Sequence, residues 1–275
     1  MRTHGEREAP AWVDHPDLVP YYETHRNRLA DLYPSERRFL PWLAAHAASV
    51  LDVGCGAGGF AAVWRALSPS ISYTGVDISG SLVEAARRAH PEHDFMRADC
   101  AAGLPLEDGF ADAVVALGWL HWEERYAAAL RELWRVAARF LFFDLRLLDA
   151  SGPDATGAQR LALTGDWDGR TTVPYICASW PRTAELLLSL GPARILGHGY
   201  WGAPAGTVVG VNEQVCFATF VLERQGSDPH SGLGLRPEVA LDLPLRWPER
   251  LESGVHLRDE AALAQMLRDA EKGES

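Results

Sequence analysis

The stretch Val50-Leu-Asp-Val-Gly-Cys-Gly-Ala-Gly-Gly-Phe60 constrains this chain more than any other. Residues 49–53 read as a short buried strand and residues 59–67 as a helix, with four glycines crowded into and just past the turn between them. Gly54 and Gly56 permit backbone angles and a close ligand approach that a Cβ would prevent. The amides at the start of the following helix then face outward toward a ligand. A strand, a glycine turn and a helix in that order open a doubly wound α/β sheet.

The rest of the pattern agrees. Residues 72–76, 93–97, 112–117 and 139–145 read as further strands. Between them, residues 80–89 form a helix that stops before Pro91. A strongly amphipathic helix spans 123–137, with Tyr126, Leu130, Leu133, Trp134 and Ala137 at helical spacing. Strands separated by helices of this length call for parallel pairing with right-handed crossovers. The regularity breaks at Arg146. Residues 147–176 are rich in Gly, Asp and Thr with no clear period, although 158–163 read as a short helix. A loop this long inside a compact domain is usually functional, which predicts a cap over residues 147–180. A helix over 181–190 and strands over 193–201 and 214–223 follow, the strands joined by a connection short enough for an antiparallel pair. Residues 1–46 form an N-terminal helical segment, partly helical over 18–32, with Ser35 as N-cap of a helix over 36–46. The domain proper spans 47–225. Residues 226–275 are a linker (226–234) and a tail outside the core, ending in an amphipathic helix with Leu263, Met266 and Leu267 on one face.

Two ligand classes use such a glycine turn. Gly54, Gly56 and Gly59, with Asp77 available for a ribose, satisfy the dinucleotide fingerprint GxGxxG. Three carboxylates point elsewhere. Asp52, two residues ahead of the first glycine, suits a ligand bearing an ammonium and a sulfonium better than a pyrophosphate. Asp77 closes the second strand, where it can accept both ribose hydroxyls, and Asp99 follows the third, where a side chain meets an adenine amino group.

With these in order (LDVGCGAGG, GVDIS, RAD, FADAVVALGWLHW, FLFFDL) the chain resembles the class I S-adenosylmethionine-dependent methyltransferases over residues 43–224. The resemblance implies a seven-stranded, mostly parallel sheet of order 3-2-1-4-5-7-6 with strand 7 antiparallel. It implies S-adenosyl-L-methionine as cofactor, with Gly54, Gly56 and Gly58 lining its methionine and ribose portion and Asp77 on the ribose. Ile78 would pack on the adenine, Asp99 and the Cys100 backbone would read its edge, and Leu117 would lie beside the methionine tail. An N-terminal helix covers the cofactor in proteins of this shape, and a tyrosine there, Tyr22, would reach its carboxylate.

The cofactor supplies the leaving group, so the protein must hold an acceptor in line, exclude water and, for a hydroxyl, remove a proton. His121, four residues after Leu117, is the candidate base. Its alternative is a histidine that only packs beside the cofactor. Asp144 and Arg146 end the fifth strand, where the first could orient an acceptor and the second bind an acidic one.

Charge narrows the partners. The net charge is −11 and Lys272 is the only lysine, which disfavours nucleic acid. The Asn-Pro-Pro-Tyr signature of base and glutamine N-methyltransferases is replaced by Ala116-Leu-Gly-Trp119. Together these predict a small-molecule acceptor, with O-methylation of a sugar or secondary metabolite ahead of N-methylation or of a non-catalytic cofactor-binding or assembly protein. Cys55, Cys100, Cys177 and Cys216 are scattered without ligand spacing, so no metal is expected. No apolar stretch suits a signal peptide or a membrane span, which predicts a cytoplasmic protein, with a homodimer left open.

Overall fold

The computed structural model describes residues 10–163, 165–225 and 236–269; the linker expected at 226–234 lies outside them. Alternation of small and large apolar residues along the strands builds the centre. The strands are β1 (Ser49–Val53), β2 (Ser72–Asp77), β3 (Asp94–Arg97), β4 (Ala111–Ala116), β5 (Ala137–Leu148), β8 (Arg194–Gly202), β10 (Val215–Glu223), β11 (Glu238–Asp242) and β12 (His256–Arg258). They lie in the order β12-β11-β8-β10-β5-β4-β1-β2-β3. Every pair is parallel except β10, which runs antiparallel to both β5 and β8.

Successive strand residues face opposite sides, and the core divides accordingly. Leu51, Val114, Leu141, Phe143, Phe220 and Ile195 pack on one face against α5 (Tyr126–Val136) and α6 (Trp180–Ser189). Val50, Val115, Phe140, Phe142, Val221 and Leu196 pack on the other against α2 (Pro34–His46), α3 (Gly59–Leu67) and α4 (Gly80–Ala89). A short α1 (Leu18–Tyr22) lies ahead of them, and α7 (Glu260–Asp269) buries Leu263 on the second face.

Three expectations change. The family order is present as β3-β2-β1-β4-β5-β10-β8, but the sheet does not stop at seven strands. The chain after the linker adds β11 to the edge beside β8 and β12 beyond it, so residues 238–258 extend the core. Val239 and Ala240 are fully buried there, and Trp180 donates from Nε1 to the Arg246 carbonyl at 2.6 Å. Second, the cap is β rather than an irregular loop. β5 overruns the sheet, and β6 (Ala155–Arg160) and β7 (Thr172–Ser179) pair antiparallel above it, with β9 (Val208–Val209) beside β6. The expected helix at 158–163 is instead strand over 158–160 and irregular over 161–163, its partners being set by contacts distant in sequence. Third, α2 begins at Pro34, and the Tyr33 amide is capped by Glu36 at 2.8 Å rather than by Ser35. Among the described residues no helix is long and apolar enough to cross a membrane, and no group of three or more His, Cys, Asp or Glu is placed to hold a metal.

Candidate active site

One cavity of about 530 Å³ opens over the carboxyl ends of β1, β2, β4 and β5 and runs beneath the cap. Its size and mixed walls suit a small-molecule site. Of the residues predicted for the cofactor, Gly54, Gly56, Asp77, Ile78, Asp99, Cys100, Leu117 and Tyr22 all line it, and so does His121. Asp52 opens instead into a small adjoining cavity that it shares with Tyr22, His25, Arg26 and Leu117. Gly58 lines neither. It caps α3 in the left-handed region, and a Cβ there would press on Ala86, His90 and Phe95, so its role is to let α3 close on α4 and β3.

The glycine turn works as a cradle. Gly54 has φ +81°, and a Cβ there would sit 2.3 Å from Cδ1 of Trp119. Trp119 is fixed in that place by donating from Nε1 to the Val53 carbonyl at 2.6 Å. Tyr22 closes the other side, against Gly56, and burial beside Asp77 pushes its hydroxyl pKa up, so it stays neutral.

Asp77 is held in place by two amides, Gly56 N at 2.9 Å and Ser79 N at 2.8 Å. Burial pushes its pKa up, and those amide bonds pull against the rise. Asp99 accepts from Ala101 N at 2.9 Å and pairs with Arg125 at 3.1 Å. Asp52 is buried, its pKa pushed up to about 6 by desolvation against a 2.6 Å bond from the Tyr73 hydroxyl and the nearby Arg26 charge.

Arg26, which the sequence did not single out, lines both cavities. Its backbone takes φ +58°, the sole non-glycine residue among those described to do so, and no glycine or asparagine at the position signals the turn. The turn brings the guanidinium over the rings of Tyr33 and Phe60 and onto Glu36. Its buried Nε has no partner. A carboxylate on one side of the small cavity and an arginine with a spare donor on the other complement a ligand that carries both an ammonium and a carboxylate. With Asp77 for a ribose and the glycine cradle between, the residues fit S-adenosylmethionine.

Beyond the cofactor half stand His121, Asp144, Arg146, Phe217 and Tyr200. Asp144 accepts from Gly118 N at 2.5 Å and from Arg146 at 2.6 Å. Burial would raise its pKa, but Arg146 and the other donors hold it low. The Arg146 guanidinium rests 4.6 Å over the Phe217 ring, and Tyr200 stacks on the same ring. His121 is 5% exposed. Burial, then the Arg146 charge, lower its pKa to about 3, so it is a neutral imidazole and a weak base.

The sheet order, the glycine turn and the carboxylates at the ends of β1 and β2 form the pattern of a class I S-adenosylmethionine-dependent methyltransferase domain. Residues 51–139 match the family model for the methyltransferase domain, whose cofactor is S-adenosylmethionine. A phthiotriol/phenolphthiotriol dimycocerosates methyltransferase of Mycobacterium ulcerans is 38% identical over 103 residues, 35% of this chain and 37% of that one. A trans-aconitate 2-methyltransferase of Azoarcus is 35% identical over 89 residues, 32% and 34% of the two chains. These matches span little more than a third of the relatives' own length. Among solved structures, the N-terminal domain of EvdMO1 with S-adenosylhomocysteine bound aligns over 70% of this chain and 82% of that one, at 17% identity and a TM-score of 0.49.

Proposed function

We propose that this chain transfers the methyl group of S-adenosylmethionine to an oxygen of a small-molecule acceptor. The observation that carries the reading is that one cavity joins the two halves: it has the glycine cradle and Asp77 at one end and Arg146, His121 and Tyr200 at the other. The two relatives are named for methylating phthiotriol/phenolphthiotriol dimycocerosates and trans-aconitate, which supports a small-molecule acceptor.

The bound cofactor supplies a methyl group on a sulfonium, an excellent leaving group. The protein's part is to bind, orient and exclude water. Asp77, Asp99, Ile78 and Cys100 hold the nucleoside, while Asp52, Arg26 and Tyr22 hold the amino-acid tail. Leu117 and Gly118, at the end of β4, form the wall between the two halves. The Gly118 amide is fixed by Asp144, which ties this wall to the residues that face the acceptor. The β6–β7 cap, with Trp122 donating to Gln159 at 3.0 Å, roofs the acceptor half against water. His121 sits under that roof as the candidate catalytic residue, in position to hydrogen-bond the acceptor.

A thermal-shift titration with S-adenosylhomocysteine tests the cofactor half, and methyl-labelled cofactor incubated with small-molecule extracts tests the transfer. Stabilisation that Asp77→Ala abolishes is expected, together with label in a low-molecular-weight product. Absence of any stabilisation overturns the reading.

A further inference from the structure

Resting on the methyltransferase reading above, we infer that the acceptor oxygen belongs to a carboxylate, bound by Arg146 with His121 beside it, so that the product is a methyl ester. Two buried polar atoms in the acceptor half have no partner: Nε of Arg146 and Nδ1 of His121. A buried donor left unpaired is costly, above all on a charged group, so these atoms mark where a ligand supplies the missing bonds. Tyr175 stands between the two side chains. Its ring lies 5.4 Å from that of His121 and its hydroxyl faces the Arg146 guanidinium.

Arg146 is built as an anion holder. Asp144 takes Nη1 at 2.6 Å, the Tyr175 hydroxyl faces the guanidinium, and Phe217 lies under its plane at 4.6 Å, which fixes the planar fork with Nε still to be paired. Such a fork matches a carboxylate in geometry and charge. Arg160 adds a second cation to the cavity lining.

The pocket also offers little to remove a proton, which a hydroxyl acceptor would require. His121 is a weak base for the reasons given above. Asp144 is committed to Gly118 and Arg146, and both oxygens of Glu36 are engaged, by Arg26 and by the Tyr33 amide. A carboxylate arrives already deprotonated. One of its oxygens attacks the methyl carbon, the carbon–sulfur bond breaks with its electron pair on sulfur, and the products are the neutral ester and S-adenosylhomocysteine. No proton is released. An ammonium acceptor would have to lose its proton first, beside two arginines. The exposed rings of Tyr33 and Tyr200 at the rim suit an apolar or aromatic body behind the carboxylate.

Calorimetric titration of the protein saturated with S-adenosylhomocysteine tests this, using cinnamate, 4-phenylbutyrate and octanoate, each against its primary amide. At least one acid should bind about tenfold or more tighter than its amide. Arg146→Gln should erase that preference, and Arg146→Lys should restore part of it. The acid–amide comparison on the unaltered protein stands even if a variant fails to fold. In turnover with methyl-labelled cofactor and the preferred acid, label should appear in a product that mild alkali cleaves to methanol, with no proton released per transfer. Amides binding as well as acids, an unchanged preference in Arg146→Gln, or an alkali-stable product formed with proton release would overturn the inference. Failure of S-adenosylhomocysteine to bind at all would instead remove the methyltransferase reading beneath it.

Discussion

Replacing Asp52 by asparagine should stabilise the free protein and weaken its hold on the cofactor. Asp52 is 5% exposed, and burial lifts its pKa from 3.8 to about 6. The folded chain therefore keeps this proton over a range in which the unfolded chain has lost it. Stability falls as pH rises from about 4 to about 6, and above that the full cost of the ionised carboxylate is present. At about 1.4 kcal/mol per pKa unit, that cost is about 3 kcal/mol at neutral pH. Asparagine still accepts the bond from Tyr73 but carries no charge. Urea unfolding near neutral pH should show Asp52→Asn more stable than the parent by about 1–3 kcal/mol, a gain that disappears near pH 4. In a chain of this size each kcal/mol moves Tm by roughly 2–4 °C. Calorimetry should show S-adenosylhomocysteine binding about tenfold more weakly, because its ammonium loses the carboxylate. A variant no more stable than the parent near pH 7, or one with unchanged affinity, refutes the reasoning.

Gly54→Ala places a Cβ where φ is +81° and Trp119 is 2.3 Å away. We expect a loss of about 1–3 kcal/mol in stability and no measurable heat on titration with S-adenosylhomocysteine. His121, with a pKa near 3 against 6.5 for the free side chain, contributes stability that is intact above pH 6.5 and is lost as pH falls toward 3, because only the unfolded chain takes up its proton. The difference in unfolding free energy between parent and His121→Gln should follow that window, and the pH profile of kcat should show no His121 inflection near neutrality. A chain ending at Gln225 uncovers the β8 edge and removes two partners of Trp180, the Arg246 carbonyl and the Trp247 ring at 5.7 Å. Its near-ultraviolet circular dichroism should collapse and it should bind a hydrophobic dye.

The cofactor half was legible because its information is local. In Val50–Phe60 the strand, the turn and the helix are consecutive, and Asp77 and Asp99 each close or follow a strand whose burial pattern is readable in a few residues. What the sequence hid is set by distant partners. Ala158 and Gln159 become strand because Pro174, Val173, Val208 and Val209 lie alongside them. Val239 and Ala240 look like a tail until β8 is in place to pair with them. Gly58 shares its motif with Gly54 and Gly56 but turns toward α4, a direction that spacing alone does not fix. Arg26 reaches the site through a left-handed turn at a residue type that rarely makes one. Arg146 was visible as a charge at the end of a strand, whereas its seat on Phe217 depends on β10 running antiparallel beside β5.

The central claim is that the glycine cradle, Asp77 and Asp52 hold S-adenosylmethionine so that its methyl group faces the acceptor half of the cavity. Parallel calorimetric titrations with S-adenosylhomocysteine and with NAD test it most directly. Saturable one-to-one binding of S-adenosylhomocysteine is expected, reduced about a hundredfold or more in Asp77→Ala, with no comparable heat from NAD. Preference for NAD, or affinity for S-adenosylhomocysteine that survives loss of the Asp77 carboxylate, would contradict it.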